Sequence, residues 1–337
     1  MHTIFTTLLG LLESGQDAVL ATVASASGST PRGAGSQMVA GPSGLAAGTI
    51  GGGPGEAQAL ELAAGLLAER CSLVWDCELR HGGELDSVCG GEMTVFFQFI
   101  PRDSEGWKNL ARRALERLEA HQGGWLVLEN GEGALLDEAG KPLAGAAAEA
   151  PLGGGCIWTG QRLSLPLPVG ERVVVFGGGH CALALVPVLR SVGFRVAVFD
   201  DRTEFASPAR FPQAETVVCG SYTDLAAGLE LSDQDYAVVM TSGHSHDFEV
   251  EEQLLRRPLA YVGVMGSHTK TAYVNKKLRE AGVAEEDIRR VHTPIGVSIK
   301  AVTPEEIAVS ITGELIHTRA LRREAAGEVI HSCPSHL

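Results

Sequence analysis

The sequence predicts an α/β protein with two domains, a C-terminal Rossmann-like doubly wound parallel sheet and a smaller N-terminal α+β domain. Three observations carry that expectation. The chain has 337 residues, more than one ordinary hydrophobic core organises. Its second half alternates short apolar runs with helical patterns, the signature of βα units and a parallel sheet. At the first such junction the run RVVVF meets Gly177-Gly178-Gly179-His180-Cys181-Ala182, which fits G-x-G-x-x-[GA], and a second apolar run then ends on Asp200.

In the first half, Ile4, Phe5, Leu8, Leu9 and Leu12 recur at helical spacing in MHTIFTTLLGLLESG, so a short amphipathic helix opens the chain. AVLATVASA then reads as a strand, SGSTPRGAGS as a loop and QMVA as a second extended piece. Gly48–Glu56, GTIGGGPGE, leads into the helical run AQALELAAGLLAER. CSLVWDCEL and MTVFFQFI are extended and flank Cys89-Gly90-Gly91. A helix near Trp107–His121 precedes WLVLENGEGALL, whose Asn130-Gly131 is a type I′ hairpin signal. The segment 141–170 is rich in Ala, Gly and Pro, which predicts a linker between an N-terminal domain over 1–140 and a Rossmann-like domain over 171–322, with 323–337 as a tail.

In the second half the glycine motif has a specific logic. The first glycine allows the tight turn, the second lets the backbone approach a pyrophosphate at a helix N-terminus, and the small third residue lets helix and strand pack. Asp200, about 20 residues on, is placed to take a ribose hydroxyl. Asp201 beside it would repel a 2′-phosphate. Pro187 within the following helix removes one backbone hydrogen bond and predicts a kink. YAVVM, AYVGVMG and a last helix opened by Thr303-Pro304-Glu305-Glu306 complete the βα series; the tetrad combines a Thr cap, a proline in the first turn and a capping-box glutamate. The loops after these strands, with His244 in one and Gly266-Ser267 in the other, belong at the carboxyl edge of the sheet with Gly177, Gly178, Gly179 and His180.

Composition excludes some classes. A formal charge of −14 argues against a phosphate-backbone partner, so no nucleic acid is expected. No apolar run approaches the length of a membrane span. The N-terminus lacks the basic region of a secretory signal, and seven cysteines without a C-x-x-C pair suggest reduced thiols and a cytoplasmic location.

Two constellations carry candidate chemistry in the first half. Gly51, Gly52 and Gly53 at a helix start offer backbone amides and a positive dipole end to an anion, and Arg32 adds a bidentate donor. The alternative is a tight strand-to-helix connection with Arg32 as a solvated loop charge. Cys89, followed by Gly90 and Gly91, is either a soft donor to a metal or transferable sulfur or a small buried hydrophobe. In the second half, His244-Ser245-His246-Asp247 lacks the spacing of a binuclear metallohydrolase site and fits a crevice-lining or loop-orienting role better. Gly266–Thr271 lacks the Walker A spacing.

SGSTPRG, GTIGGGPGE, VCGG, VVVFGGGH with FDDR, TSGHSHD, YVGVMGS and PIGVSIKAVTPEEIAVSI together resemble the XdhC/CoxF family, the accessory factors of xanthine dehydrogenase and related molybdenum hydroxylases. The resemblance covers about Ala18 to Arg319. It implies a protein that binds molybdenum cofactor (molybdopterin), supports its sulfuration by a cysteine desulfurase or sulfurtransferase, and hands it to a xanthine dehydrogenase-type apo-hydroxylase. It also implies a homodimer. The implied site residues are Arg32, Gly51, Gly52, Gly53, Glu56, Cys89, Gly90 and Gly91 in the first half, with Cys89 as a contact to sulfur or molybdenum. Gly55, His268, Thr269 and Lys300 depart from the family, which has a larger apolar residue before Glu56, basic residues at the two middle positions and a small residue at Lys300. Two other classes remain open: an NAD(P)-dependent oxidoreductase, and a sensor of NAD(P) or another adenine nucleotide, each built on the second half. The glycine–arginine–cysteine constellation of the first half favours the accessory factor, because a plain dehydrogenase does not require it.

Overall fold

The computed structural model describes residues 1–78, 90–129, 131–146, 148–149, 155–242 and 244–326, the side chains of 244 and 245 excepted. The described residues divide into two compact units, one of Met1–Val169 joined by residues 323–326, the other of Gly170–Arg322.

The first unit begins with α1 (His2–Glu13), which buries Ile4, Phe5, Leu8 and Leu12 as their spacing predicts. There follow β1 (Ala18–Ser27), β2 (Gln37–Gly41), β3 (Gly44–Gly48), α2 (Gly53–Glu69), β4 (Leu73–Glu78), β5 (Glu92–Ile100) and α3 (Glu105–Glu119). The remaining strands are β6 (Trp125–Glu129), β7 (Glu132–Leu136), β8 (Pro142–Gly145), β9 (Ile157–Trp158) and β10 (Arg162–Pro166). They form two five-stranded sheets, ordered β3-β2-β1-β5-β4 and β8-β7-β6-β10-β9, with antiparallel pairings throughout.

β1 is apolar on both faces because both are covered. Leu20 and Ala24 join Leu8, Leu12, Trp107 and Leu110 from α1 and α3 and Leu126 and Leu163 from the second sheet. Val19, Ala21 and Val23 face Ala59, Ala63 and Leu66 of α2. The stretch expected as a linker contradicts that reading: 141–170 supplies β8, β9 and β10 to the second sheet. Its strands are short, and they are held by backbone pairing to β6 and β7, which composition does not register.

The second unit contains β11 (Arg172–Phe176), α4 (His180–Ser191), β12 (Arg195–Asp200), β13 (Thr216–Cys219), β14 (Tyr236–Val239) and α5 (His244–Leu255). It continues with β15 (Tyr261–Val264), α6 (His268–Glu280), α7 (Glu285–Arg289), β16 (Val291–His292) and α8 (Pro304–Ala325). The sheet is parallel, in the order β13-β12-β11-β14-β15-β16, the Rossmann arrangement. Its strands are continuous apolar runs because helices cover both faces: α5 and α6 pack on one side, α4 and α8 on the other. α4 continues through Pro187 to Ser191. α8 opens with the capping box expected of its sequence, since Thr303 Oγ1 accepts from the Glu306 amide and Glu306 accepts from the Thr303 amide. Among the described residues no helix is long and apolar enough to cross a membrane.

Candidate functional site

In the first unit three loops that are distant in sequence meet. The loop Ser27–Gly33 leaves the end of β1 and lies between the Gly51 turn and the approach to β5. A side chain at Gly51 would place its Cβ 2.6 Å from Pro31 Cβ and 3.7 Å from the Arg32 amide. At Gly91 a Cβ would stand 2.6 Å from the Ser27 carbonyl and 2.5 Å from that of Ser29. Glycine is therefore required at Gly91 by close backbone approach, and at Gly51 by the Pro31 ring together with a φ of +142°. Gly52 and Gly53 are different. Nothing lies within 4 Å of where their side chains would be, so their backbone faces open space at the start of α2. Arg32 is exposed on the same loop system, and Thr30 Oγ1 is buried without a hydrogen-bond partner. Gly90 is exposed beside Gly91. Cys89 lies outside the described residues.

Glu56 changes the meaning of the glycine turn. Its carboxylate accepts hydrogen bonds from the Thr49 hydroxyl and from the amides of Ile50 at 2.9 Å and Gly52 at 3.2 Å, while Thr49 Oγ1 accepts from the Gly51 amide at 3.0 Å. Burial works to raise the Glu56 pKa. The hydroxyl and the Gly52, Ile50 and Gly51 amides outweigh it and hold the carboxyl below its usual range. An internal anion thus occupies the amides of Ile50 and Gly52, and the backbone donor left to a ligand at this turn is Gly53, the first residue of α2. This is a helix cap in which a first-turn glutamate reaches back past the N-cap.

In the second unit the glycine motif folds as a strand-to-helix turn with Gly179 as the N-cap of α4 and Ala182 fully buried. Gly177 and Gly178 are packed closely: a Cβ would meet the Met240 carbonyl at 2.5 Å and the Phe205 carbonyl at 2.3 Å respectively. Gly179 faces open space, and His180 is exposed on the first turn. Asp200 departs from its expected role. Its side chain is completely buried and accepts from the Gly178 amide at 2.7 Å, the Arg202 amide at 3.0 Å and the Arg202 guanidinium at 2.9 and 3.0 Å. Burial raises its pKa, but Arg202 and the two amides prevail and keep it ionised. The carboxylate is spent on holding the turn. Arg202 in turn stacks on Phe205 at 3.8 Å, and Arg210 Nε donates to the Gly178 carbonyl at 3.0 Å. The residues after β12 therefore fold back onto Asp200 and the glycine turn. Asp201 is exposed, 3.6 Å from the Arg202 guanidinium.

The HSHD segment separates into unlike parts. His244 starts α5. His246 pairs with Glu249 through Nδ1 at 3.1 Å, and its ring lies 5.2 Å from that of Tyr222. Asp247 is fully buried, accepts from Thr241 and forms an ion pair with Lys270. Beside it Glu251, 3% exposed, has its pKa pushed up to about 8 by burial and by Asp247, with Lys270 acting in the opposite sense. Sequence reading missed Glu251 and Lys270, whose meeting depends on α5 lying against α6. Gly266 and Ser267 precede α6, which Ser267 caps by accepting from the Lys270 amide at 3.3 Å. They line a cavity with the loop 294–301. Lys300 in that loop has φ +59°, the left-handed region, which explains why a small residue is expected there.

Two family models match the chain: the XdhC and CoxI family over residues 11–75 and the XdhC Rossmann domain over residues 173–315. The chain is 27% identical over 336 residues to the uncharacterized protein YqeB of Escherichia coli strain K12, covering 99% of this chain and 48% of that protein; it thus spans about half the length of that relative. It is also 27% identical over 335 residues to a Bacillus subtilis strain 168 protein described as a probable xanthine dehydrogenase subunit, covering 95% of this chain and 98% of that protein. A crystal structure described as a xanthine dehydrogenase from Bacillus halodurans shares the fold, with a TM-score of 0.78, 24% identity and coverage of 94% of this chain and 97% of that one. The sequence motifs, the paired architecture and these matches agree, and the chain belongs to the XdhC family.

Proposed function

We propose that this protein is an accessory factor that binds molybdenum cofactor in its first unit, supports the sulfuration of that cofactor by a partner sulfurtransferase and delivers it to a xanthine dehydrogenase-type apo-hydroxylase. The observation that carries the reading is the convergence of Ser27–Gly33, Gly51–Gly53 and Gly90–Gly91, three motifs with no contact in sequence and a shared glycine–arginine–polar character.

The residues present fit such a ligand with one correction. Molybdenum cofactor has a terminal phosphate, a hydrogen-bonding pterin and a soft metal centre held by a dithiolene, and the bound group supplies the metal and sulfur chemistry. For the phosphate, this chain provides the exposed Arg32 and the Gly53 amide at the start of α2, with open space beside Gly52 and Gly53. The Ile50 and Gly52 amides are not available, because Glu56 holds them. The buried, unpartnered Thr30 Oγ1 is a hydrogen-bonding group in search of a partner, as pterin recognition requires. Cys89 adjoins Gly90 in sequence and provides the soft donor.

The second unit has no assigned turnover in this reading. An oxidoreductase that binds its dinucleotide in the usual way needs a free acid at the end of the second strand, and Asp200 is committed to Arg202 and Gly178. The decisive experiment is activation of a purified apo-hydroxylase by this protein after co-expression with the cofactor pathway. Activation that requires the protein and tracks its pterin content supports the proposal. Equal activation by free cofactor at the same concentration argues against a delivery role.

A further inference from the structure

A cavity of about 550 Å³ lies within the second unit, at the carboxyl edge of the sheet among the residues that follow β15 and β16. Its size is that of a small-molecule site. Half-buried Met265 and Ile295 and exposed Ile299 give it an apolar wall, with Ser267, Ser298 and Lys300 as polar lining.

The wall is fixed in place rather than collapsed onto the gap. The Ile295 amide donates to the Val264 carbonyl at 3.0 Å, tying the loop to β15. The Ser310 hydroxyl donates to the Val297 carbonyl at 2.7 Å, and the Gly296 amide donates to Glu314, tying it to α8. The Val302 amide donates to Glu306 at 2.7 Å. A loop held at both ends keeps its cavity without a ligand, so little ordering cost opposes binding.

The charge is equally specific. Lys300 is the charged side chain of the lining, in a protein whose formal charge is −14, and the capped amino end of α6, a helix of 13 residues, opens on the same cavity. Two positive features thus share an otherwise apolar wall.

We infer that this cavity binds an organic anion of about mononucleotide size, its charged group held by Lys300 and the amino end of α6 and its ring or chain laid on Met265, Ile295 and Ile299. The site is independent of the first unit and of the cofactor reading made for it. Its lining follows β15 and β16, whereas Asp200 ends β12 on the other side of β11.

The test uses the full-length protein, with anilinonaphthalene sulfonate as a fluorescent aromatic anion and AMP as a competitor. The dye is expected to bind saturably at one site, AMP to displace it, and uncharged adenosine to do so about tenfold less well, the loss that follows from removing a hydrogen bond to a charged group. Lys300→Glu should weaken both ligands by about tenfold or more, while Arg113→Glu on the exposed side of α3 should leave both unchanged. Lys300→Gly serves as the folding control, since glycine adopts the φ of +59° without strain; it should melt like the parent and still lose affinity. Failure of both dye and AMP to bind saturably would overturn the inference. So would unaltered affinity in folded Lys300→Gly.

Discussion

Replacing Glu56 by Gln asks whether the carboxylate belongs to the fold or merely waits where a ligand goes. In the structure it accepts from the Thr49 hydroxyl and from the Ile50 and Gly52 amides. Hydrogen bonds to a charged acceptor contribute about 1.5–3 kcal/mol and neutral ones about 0.5–1.5 kcal/mol. The three donors converge on one oxygen, a place the glutamine carbonyl oxygen can take, so the substitution removes the charge and leaves three neutral hydrogen bonds. With Glu56 only partly buried, the net loss should be about 1–2 kcal/mol, in the range of a lost helix cap. For a unit of this size that lowers the melting temperature by about 2–8 °C. The pH dependence fixes the sign. The folded carboxyl titrates below its ordinary value of 4.5, so its stabilisation is complete above that value and is lost as pH falls through the lower folded one. Thermal scans from neutral to acid pH should therefore show parent and variant apart at pH 7 and converging in acid. Equal melting temperatures at pH 7, or a variant restabilised by added phosphate beyond the parent, would refute the internal-cap reading.

Three further outcomes follow from the same geometry. Asp200→Asn should cost about 2 kcal/mol in chemical denaturation, because a buried charged acceptor for Arg202 and the Gly178 amide is lost; unchanged stability with loss of NAD binding would restore the ribose role. Glu251 has a folded pKa near 8 against an ordinary 4.5, so the folded state holds the extra proton and stability declines as pH rises across that window. Glu251→Gln should raise the melting temperature at pH 8 and leave it nearly unchanged at pH 5, and destabilisation at both would contradict this. Cys89→Ser should melt within about 2 °C of the parent, yet fail to activate an apo-hydroxylase; full activation would remove any role for the thiol.

The second unit was legible because a parallel sheet covered on both faces writes itself as apolar runs, and RVVVF, YAVV and YVGV are such runs. The tetrad at Thr303 was legible for a local reason, its cap being complete within four residues. What escaped depends on partners. β3 and β8 are short and carry small, partly exposed residues, so their pairing lies in the backbone and leaves no side-chain pattern. Asp200 occupies the position expected of a ribose ligand. Its actual role is set by Arg202, two residues on, folding back to it. Glu56 was recognised as a site residue, but its part as an internal anion appears only when the turn brings the Ile50 and Gly52 amides onto one oxygen. Asp247, Glu251 and Lys270 meet through the packing of α5 on α6, a contact no motif spells out.

The most direct test of the central claim is the molybdenum and pterin content of the protein purified gently from cofactor-producing cells, measured beside Gly52→Val. Gly52 has φ +74° and an open face, so valine adds local strain of about 1–3 kcal/mol and fills the space a ligand backbone contact needs. Pterin and molybdenum should be retained by the parent in near-equal amounts and be absent from the folded variant. Their absence from the parent, or equal retention by folded Gly52→Val, would contradict the proposed cofactor site.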